Sequence, residues 1–449
     1  LEVEYVRVYE PAAVLSSSSS SSSSVGLAHA PPSDLVLLHE YPNARCLDGS
    51  SAGYYINPAS SDSLHADHWL FVLEGGGMCS TEAHCTARAK TDLGSSNQWP
   101  LRFDWTSTSL TTNDTRNPFR GWNRVWVKYC SGDLYTGQRT TNTSNATWGL
   151  WFSGHHILDA VLNRINGNSN CLNRSDTFVA FSGGSAGGLG AFYSTDWVAA
   201  QYPLATVVGV PIGGFVPDIE WFGGNTHHTP SEDVRDVAFP SHVALFDSFL
   251  SPACVGHLDH DWQCMLPRLA YPWNERPLFI MEALTDACIL CGFEGVGTSD
   301  NQCWLPLVGG GRLRPKEEQA WMRQYGVNAS RNMGMVRNST RRDGLFAPSC
   351  FMHCHFTLDR PLLGGLNAVD ALQRWIIWVN ATEPTITQQK AAAGQRQMDG
   401  EAAAAIIDSH KFRWFDTCDG DSDGFWPPCN PSCPYIPTAG SQEEMMKFM

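Results

Sequence analysis

One stretch constrains this chain more than any other: TFVAFSGGSAGGLGAF, residues 177–192. A β-rich run, residues 177–181, meets glycines at once and has nowhere to continue as a strand. Gly183-Gly184-Ser185-Ala186-Gly187 fits the pattern G-x-S-x-G. Small neighbours in that pattern let a strand turn abruptly into a helix and leave the serine Oγ exposed at the turn. A glycine-rich turn with an incidental serine would read the same in isolation, so the rest of the chain has to decide.

The remaining periodicity alternates strand with helix. Residues 69–73 form a short apolar run ending in EGGG, and residues 124–129 alternate with period two. Ile157, Leu158, Val161, Leu162 and Ile165 recur at helical spacing, which predicts a helix over 150–165. After the helix that follows Ser185, strands are expected at 205–210 and 277–284, and helices at 316–325 and 366–379. This alternation implies an α/β fold, a mostly parallel sheet with helices on both faces. In such sheets function gathers at the carboxyl ends of the strands. With 449 residues, 43% of them hydrophobic, there is ample material for a large core. Nine consecutive serines, Ser16 to Ser24, followed by HAPPSD, cannot form one. Residues 1–34 are therefore expected to be a disordered segment ahead of a single domain spanning 35–449. Residues 388–405, QQKAAAGQRQMDGEAAAA, read as a surface loop with some helical tendency.

Charge and cysteines bound the setting. A net charge of −15 argues against a nucleic-acid partner, which would need clustered Lys and Arg. No run approaches the ~18 apolar residues of a membrane span. Fifteen cysteines are too many for an ordinary cytosolic enzyme and point to disulfides in an oxidising compartment. Cys79/Cys85 and Cys254/Cys264 are close enough in sequence to be local bridges, and an odd count leaves at least one thiol over. Seven N-x-S/T sequons, at Asn113, Asn142, Asn145, Asn173, Asn328, Asn338 and Asn380, agree with secretion. No signal peptide is visible: the chain begins at Leu1, with Glu2 and Glu4 close behind, so the true N-terminus is expected to be missing or already cleaved.

A serine hydroxyl is a weak nucleophile until a positioned base accepts its proton, and a third group must hold that base. Asp286 follows the apolar strand PLFIMEAL, and His353 lies in GLFAPSCFMHCHF after the short run Leu345-Phe346. The order Ser…Asp…His is that of an α/β-hydrolase. Acyl transfer also needs backbone N–H donors aimed at the developing oxyanion. FVLEGGGMC, residues 71–79, places glycines directly after a strand, and Gly77, Met78 and Ala186 are the candidate donors. A tight turn pinned by a Cys79–Cys85 loop is the plainer reading. Both hold together, since a disulfide beside the loop would stiffen it.

In combination, LEGGGMC, WNRVWVKYCSGD, SGGSAGG, FAPSCFMHC and PPCNPSCP occur in an order that resembles the pectin acetylesterase family. That family includes Notum, the carboxylesterase that removes palmitoleate from Wnt proteins. The resemblance runs from CLDGSSAGYYI at Cys46 to Cys433, nearly all of the folded region. It implies Ser185 as nucleophile, His353 as base and Asp286 as its orienting group, with His355 as rival base one step beyond the family position. It also implies a long-range Cys46–Cys130 bridge. Two departures stand out: Met78 where the family usually has Trp after GGG, and a loose match around MEALTDACILCG.

His155-His156, His227-His228 and Cys288-x-x-Cys291 could ligate zinc, but disulfides are the better reading of the cysteines in such a chain. DGDSDG, residues 419–424, imitates a calcium loop, but its twelfth position is Asn430 rather than a bidentate Glu. No metal or cofactor is expected. The expected function is a secreted serine carboxylesterase acting on short acyl esters, acetyl above all, of a polysaccharide such as pectin. Alternatives are a Notum-like deacylase of a lipidated protein and a non-catalytic glycan-binding protein on the same scaffold. A peptidase would use the same triad.

Overall fold

Leu70, Phe71, Val72 and Leu73 are consecutive and all buried, which a strand achieves only when both faces of its sheet are covered. The computed structural model describes residues 33–105, 108–140, 147–216, 239–290, 316–392, 409–416 and 430–433. Its strands are β1 (Ser33–Leu37), β2 (Gly53–Asn57), β3 (His68–Leu73), β4 (Arg102–Phe103) and β5 (Asn123–Val127). They continue as β6 (Phe178–Gly184), β7 (Thr206–Ile212), β8 (Phe279–Met281), β9 (Gly344–Ala347) and β10 (Arg413–Phe415). The main helices are α1 (Glu82–Arg88), α2 (Gly154–Asn166), α3 (Ala186–Gln201), α4 (Phe239–Phe246), α5 (Pro267–Ala270), α6 (Lys316–Arg337) and α7 (Ala368–Ala392).

All ten strands join one sheet in the order β10-β9-β8-β7-β6-β3-β5-β2-β1-β4. Neighbours from β10 to β5 pair in parallel, and β2, β1 and β4 add an antiparallel edge. The chain passes from β3 to β5 on one side and to β6 on the other, so strand order reverses beside β3. In open α/β sheets a ligand crevice lies outside the carboxyl ends of the strands at such a point.

Alternation along the strands fills two cores. Phe71, Leu73, Val179, Phe181, Leu278 and Ile280 meet α2, α3 and α6 on one face. Leu70, Val72, Phe178, Ala180, Phe279 and Met281 meet α7 and the aromatic residues Trp105, Phe119 and Trp122 on the other. This is the α/β-hydrolase-like layering expected from the sequence. Among the described residues, disulfides join Cys46–Cys130, Cys79–Cys85, Cys254–Cys264 and Cys350–Cys433.

Several boundaries differ from the sequence reading. The helix expected from residue 150 starts at Gly154, whose N–H donates to the buried Asp133 Oδ2 at 2.8 Å. Ser153 Oγ donates to Arg45 O at 2.8 Å, so the chain just before the helix is tied to loops instead. Ser33 and Asp34, assigned to the N-terminal segment, lie in β1. Helix α7 runs on to Ala392, into the QQKAAA tract, whose Ala, Gln and Lys favour helix. The remainder of that tract lies outside the described residues.

Two core histidines should make the fold acid-sensitive. His155 stacks on Phe249 at 4.1 Å and against Trp197, and His242 stacks on Phe246. Burial pushes each ring down to about 4, and each Nδ1 is buried without a hydrogen-bond partner. The unfolded rings protonate near 6.5 and the folded rings only near 4, so stability is full above about 6.5 and declines as pH falls toward 4. Each ring should cost on the order of 2–3 kcal/mol by the acid end of that window. Denaturant melts from pH 7 to pH 4 should show this decline, and His155→Phe should lessen it, leaving the His242 share.

Candidate active site

The turn at Ser185 is steric in origin. A Cβ on Gly183 would lie 2.3 Å from Gly187 O, and one on Gly187 only 2.1 Å from Leu73 O. Only glycines let α3 fold back so tightly over β6 and β3. Ser185 takes the strained φ of 56°, ψ of −123°, and its N–H donates to Ile212 O at 2.8 Å. The side chain is thereby held at the carboxyl end of the sheet, at the N-terminus of α3. Helix N-terminal amides have no intrahelical acceptor, and Ala186 is the first of them.

Asp286 and His353 come from the ends of two neighbouring strands, β8 and β9. Leu284 N–H donates to Pro348 O and Ala287 N–H to Met352 O, so the two following loops run alongside each other. His353 Nδ1–H donates to Asp286 Oδ2 at 2.7 Å, and Ile289 N–H donates to the other carboxylate oxygen at 3.0 Å. Both residues are buried, Asp286 completely. With Nδ1 as donor, the neutral ring presents Nε2 as an acceptor; this atom is buried with no hydrogen-bond partner. The ring reaches β7: a Cβ on Gly213, next to the Ile212 that holds Ser185, would lie 3.1 Å from His353 Cε1. Ser185, Asp286 and His353 are thus gathered at the ends of β6, β8 and β9, around the end of β7.

The oxyanion-loop candidates lie on the other side of Ser185. After β3, a Cβ on Gly75 would lie 3.1 Å from Ser185 Cβ, so the glycine loop packs against the elbow. Gly76 and Gly77 have φ of 142° and 65°. Met78 is partly buried against the core.

The rival residues are differently employed. His355 is not the ring bonded to Asp286, and burial lowers its pKa. Burial pushes the Cys354 thiol up despite the neighbouring His353, so it stays protonated. His155 is stacked in the core, and His156 Nε2 meets Gln138 O at 3.0 Å. His227, His228, Cys291 and residues 419–424 lie outside the described residues. Asn430 Nδ2 donates to Leu362 O and to Asp416 Oδ2.

The sequence reading missed two glutamates. Glu282, buried at the end of β8, accepts from Phe215 N–H at 2.9 Å, and burial followed by the charge of Asp286 raises its pKa well above the carboxylate range. Glu74, buried at the end of β3, accepts from Lys128 Nζ at 2.8 Å and from Tyr129 N–H at 2.9 Å. The signal was present: each is a charged residue directly after a continuous apolar strand, FVLE and FIME.

Comparison with known proteins gives concordant results. A family model described as pectinacetylesterase matches residues 28–387. The chain is 30% identical over 343 residues to pectin acetylesterase 5 of Arabidopsis thaliana, covering 73% of this chain and 75% of that protein. It is 28% identical over 330 residues to the palmitoleoyl-protein carboxylesterase NOTUM of Schmidtea mediterranea, covering 70% of this chain and 57% of that protein. Identity to the Homo sapiens NOTUM is 25% over 419 residues, covering 89% and 73%.

Two opposing effects act on His353. Burial disfavours the imidazolium, and the Asp286 carboxylate more than offsets it, holding the ring well above the ordinary histidine range. NMR of the His353 ring should therefore find its midpoint above about 6.5. In Asp286→Asn only burial remains, so the midpoint should move below that value. A midpoint unchanged by the substitution would refute this balance.

Proposed function

Because the chain belongs to the pectinacetylesterase family, and so to the carboxylic ester hydrolases, we propose that Ser185, His353 and Asp286 form its catalytic triad. The observation that carries this reading is the 2.7 Å bond from His353 Nδ1 to Asp286 Oδ2 beside the strained Ser185 turn. Asp286 fixes the tautomer, so that in the deprotonated ring, the form that prevails above the raised midpoint of His353, Nε2 accepts the proton as Ser185 Oγ attacks the acyl carbon. The tetrahedral oxyanion is received by the N–H groups of Gly77, Met78 and Ala186. As the intermediate collapses, the imidazolium gives its proton to the leaving alcohol. Water then repeats the sequence on the acyl-enzyme. Such a unit fails as a unit: Ser185→Ala and His353→Ala should each lose roughly 10⁴- to 10⁶-fold in kcat, and the double variant little more. Additive losses, or turnover of p-nitrophenyl acetate surviving in Ser185→Ala, would count against it.

We further infer that the substrate is a short acyl ester, acetyl on an extracellular polysaccharide such as pectin. Support comes from the 30% identity to a pectin acetylesterase against 25–28% to the two NOTUM proteins. Four disulfides among the described residues fit an extracellular setting. Removal of a fatty acyl group from a protein is the second reading, and the NOTUM similarity is what favours it. The two diverge with chain length. A fatty acyl pocket gains about 0.8 kcal/mol, roughly fourfold, for each CH₂ buried. For an acetyl site, kcat/KM on p-nitrophenyl esters should stay flat or fall beyond butyrate. A steep rise through octanoate would make the deacylase the leading reading.

A further inference from the structure

A feature beside the site is unexplained by the triad: Arg88, a buried cation, donates from Nη2 to the backbone carbonyl of Gly76 at 2.6 Å. A planar trans peptide points its C=O and the following N–H in opposite directions. Fixing Gly76 O toward Arg88 therefore turns the Gly77 N–H away from it. We propose that Arg88 is a positioning residue that locks the Gly76–Gly77 peptide in the orientation that makes Gly77 N–H an oxyanion donor. This rests on the reading of Ser185 as nucleophile and of Gly77 as a donor.

The loop needs such a clamp. Gly76 at φ 142° and Gly77 at φ 65° are in backbone conformations that glycine visits freely, so their shared peptide has little intrinsic preference of its own. An amide that must face a developing charge gains from being held before the reaction begins. A cation on the carbonyl end also polarises the peptide and strengthens its N–H as a donor.

Arg88 is itself fixed in place. Its guanidinium lies 5.3 Å from the ring centroid of Tyr129. Tyr129 N–H donates to Glu74, the residue just before the glycines, whose other carboxylate oxygen takes Lys128 Nζ. Glu74 O in turn accepts from Tyr135 O–H at 3.0 Å. The near end of the loop is thus anchored, and the far end is anchored by Cys79, whose N–H donates to Gly132 O at 3.0 Å. Between these anchors the Arg88 contact acts on the central peptide.

The chain between loop and clamp is short. Thr81 caps α1, accepting from His84 N–H, and Arg88 is the last residue of that helix. The Cys79–Cys85 disulfide fastens the helix to the end of the glycine loop. The bridge accordingly does more than stiffen a turn: it returns the chain so that Arg88 reaches back to Gly76.

The test is kinetic. Arg88→Met should lower kcat on p-nitrophenyl acetate roughly 10- to 100-fold while KM stays within about twofold. Affinity for a boronic acid that mimics the tetrahedral state should fall by the same factor. Arg88→Lys keeps a cationic donor for the same carbonyl and should return activity to within roughly fivefold of the parent. Cys85→Ser should act in the same direction and add little to Arg88→Met, since both work through one peptide. A folded Arg88→Met with kcat within about twofold of the parent would overturn the proposal. Equal losses in the Met and Lys variants, or failure of both to fold, would also do so, because the role would then be structural. Ser185→Ala in the same assay separates the two levels. If it is inactive while Arg88→Met is unaffected, only the positioning role fails; if it is active, the nucleophile assignment fails first.

Discussion

The site depends on the parallel hydrogen-bonded register of β6, β7, β8 and β9. Parallel strands all end on the same side, so four neighbouring carboxyl ends deliver Ser185, Gly213, Asp286 and His353 to one place without any long reach by a side chain. The bond between His353 and Asp286 is possible because the loops after β8 and β9 travel together, tied by Leu284 to Pro348 and by Ala287 to Met352. Cys350–Cys433 and the Ser349 N–H to Asp416 Oδ2 contact hold the start of the second loop. The energetics of the sheet and the geometry of the site are one constraint.

Burial has two consequences at those strand ends. It disfavours charge, which raises Glu282 and works against the His353 imidazolium, and it strengthens each charge pair that survives. Asp286 prevails over burial at His353 because its carboxylate is 2.7 Å away and is itself supported by Ile289 N–H. At the end of β3, Glu74 remains buried because Lys128 and two N–H donors, those of Tyr129 and Trp126, surround it. Polar groups are placed where apolar strands stop, and each contacts a loop that the site needs.

Much of this was legible in the sequence, for identifiable reasons. The elbow is local: glycines at 183 and 187 record contacts that a Cβ would destroy, so the sharp turn at Ser185 shows in its neighbours, while the role of the serine had to come from the rest of the chain. The central strands were legible because a strand buried on both faces is a continuous apolar run. Asp286 and His353 needed more, since nothing local pairs residues far apart in the chain; their order and the family resemblance supplied it. Where partners are tertiary and the local signal points elsewhere, the sequence makes no assignment. Cys350 has Cys354 close by and Cys433 has Cys429, yet the bridge is Cys350–Cys433. Arg88 looks like a surface residue ending a short helix, and only the folded chain shows it against Gly76. The antiparallel pairing of β1, β2 and β4 is also tertiary: β1 carries the apolar run Leu35-Val36-Leu37, but nothing in it marks an antiparallel edge.

The most direct test of the central claim is covalent. The protein is treated with a fluorophosphonate and the adduct is mapped by peptide mass spectrometry, in the parent chain and in His353→Ala. If Ser185 is activated by the His353–Asp286 pair, a single adduct forms on Ser185 and its formation slows by orders of magnitude in His353→Ala. An adduct on another residue, or equal labelling of Ser185 in the two proteins, would contradict that claim.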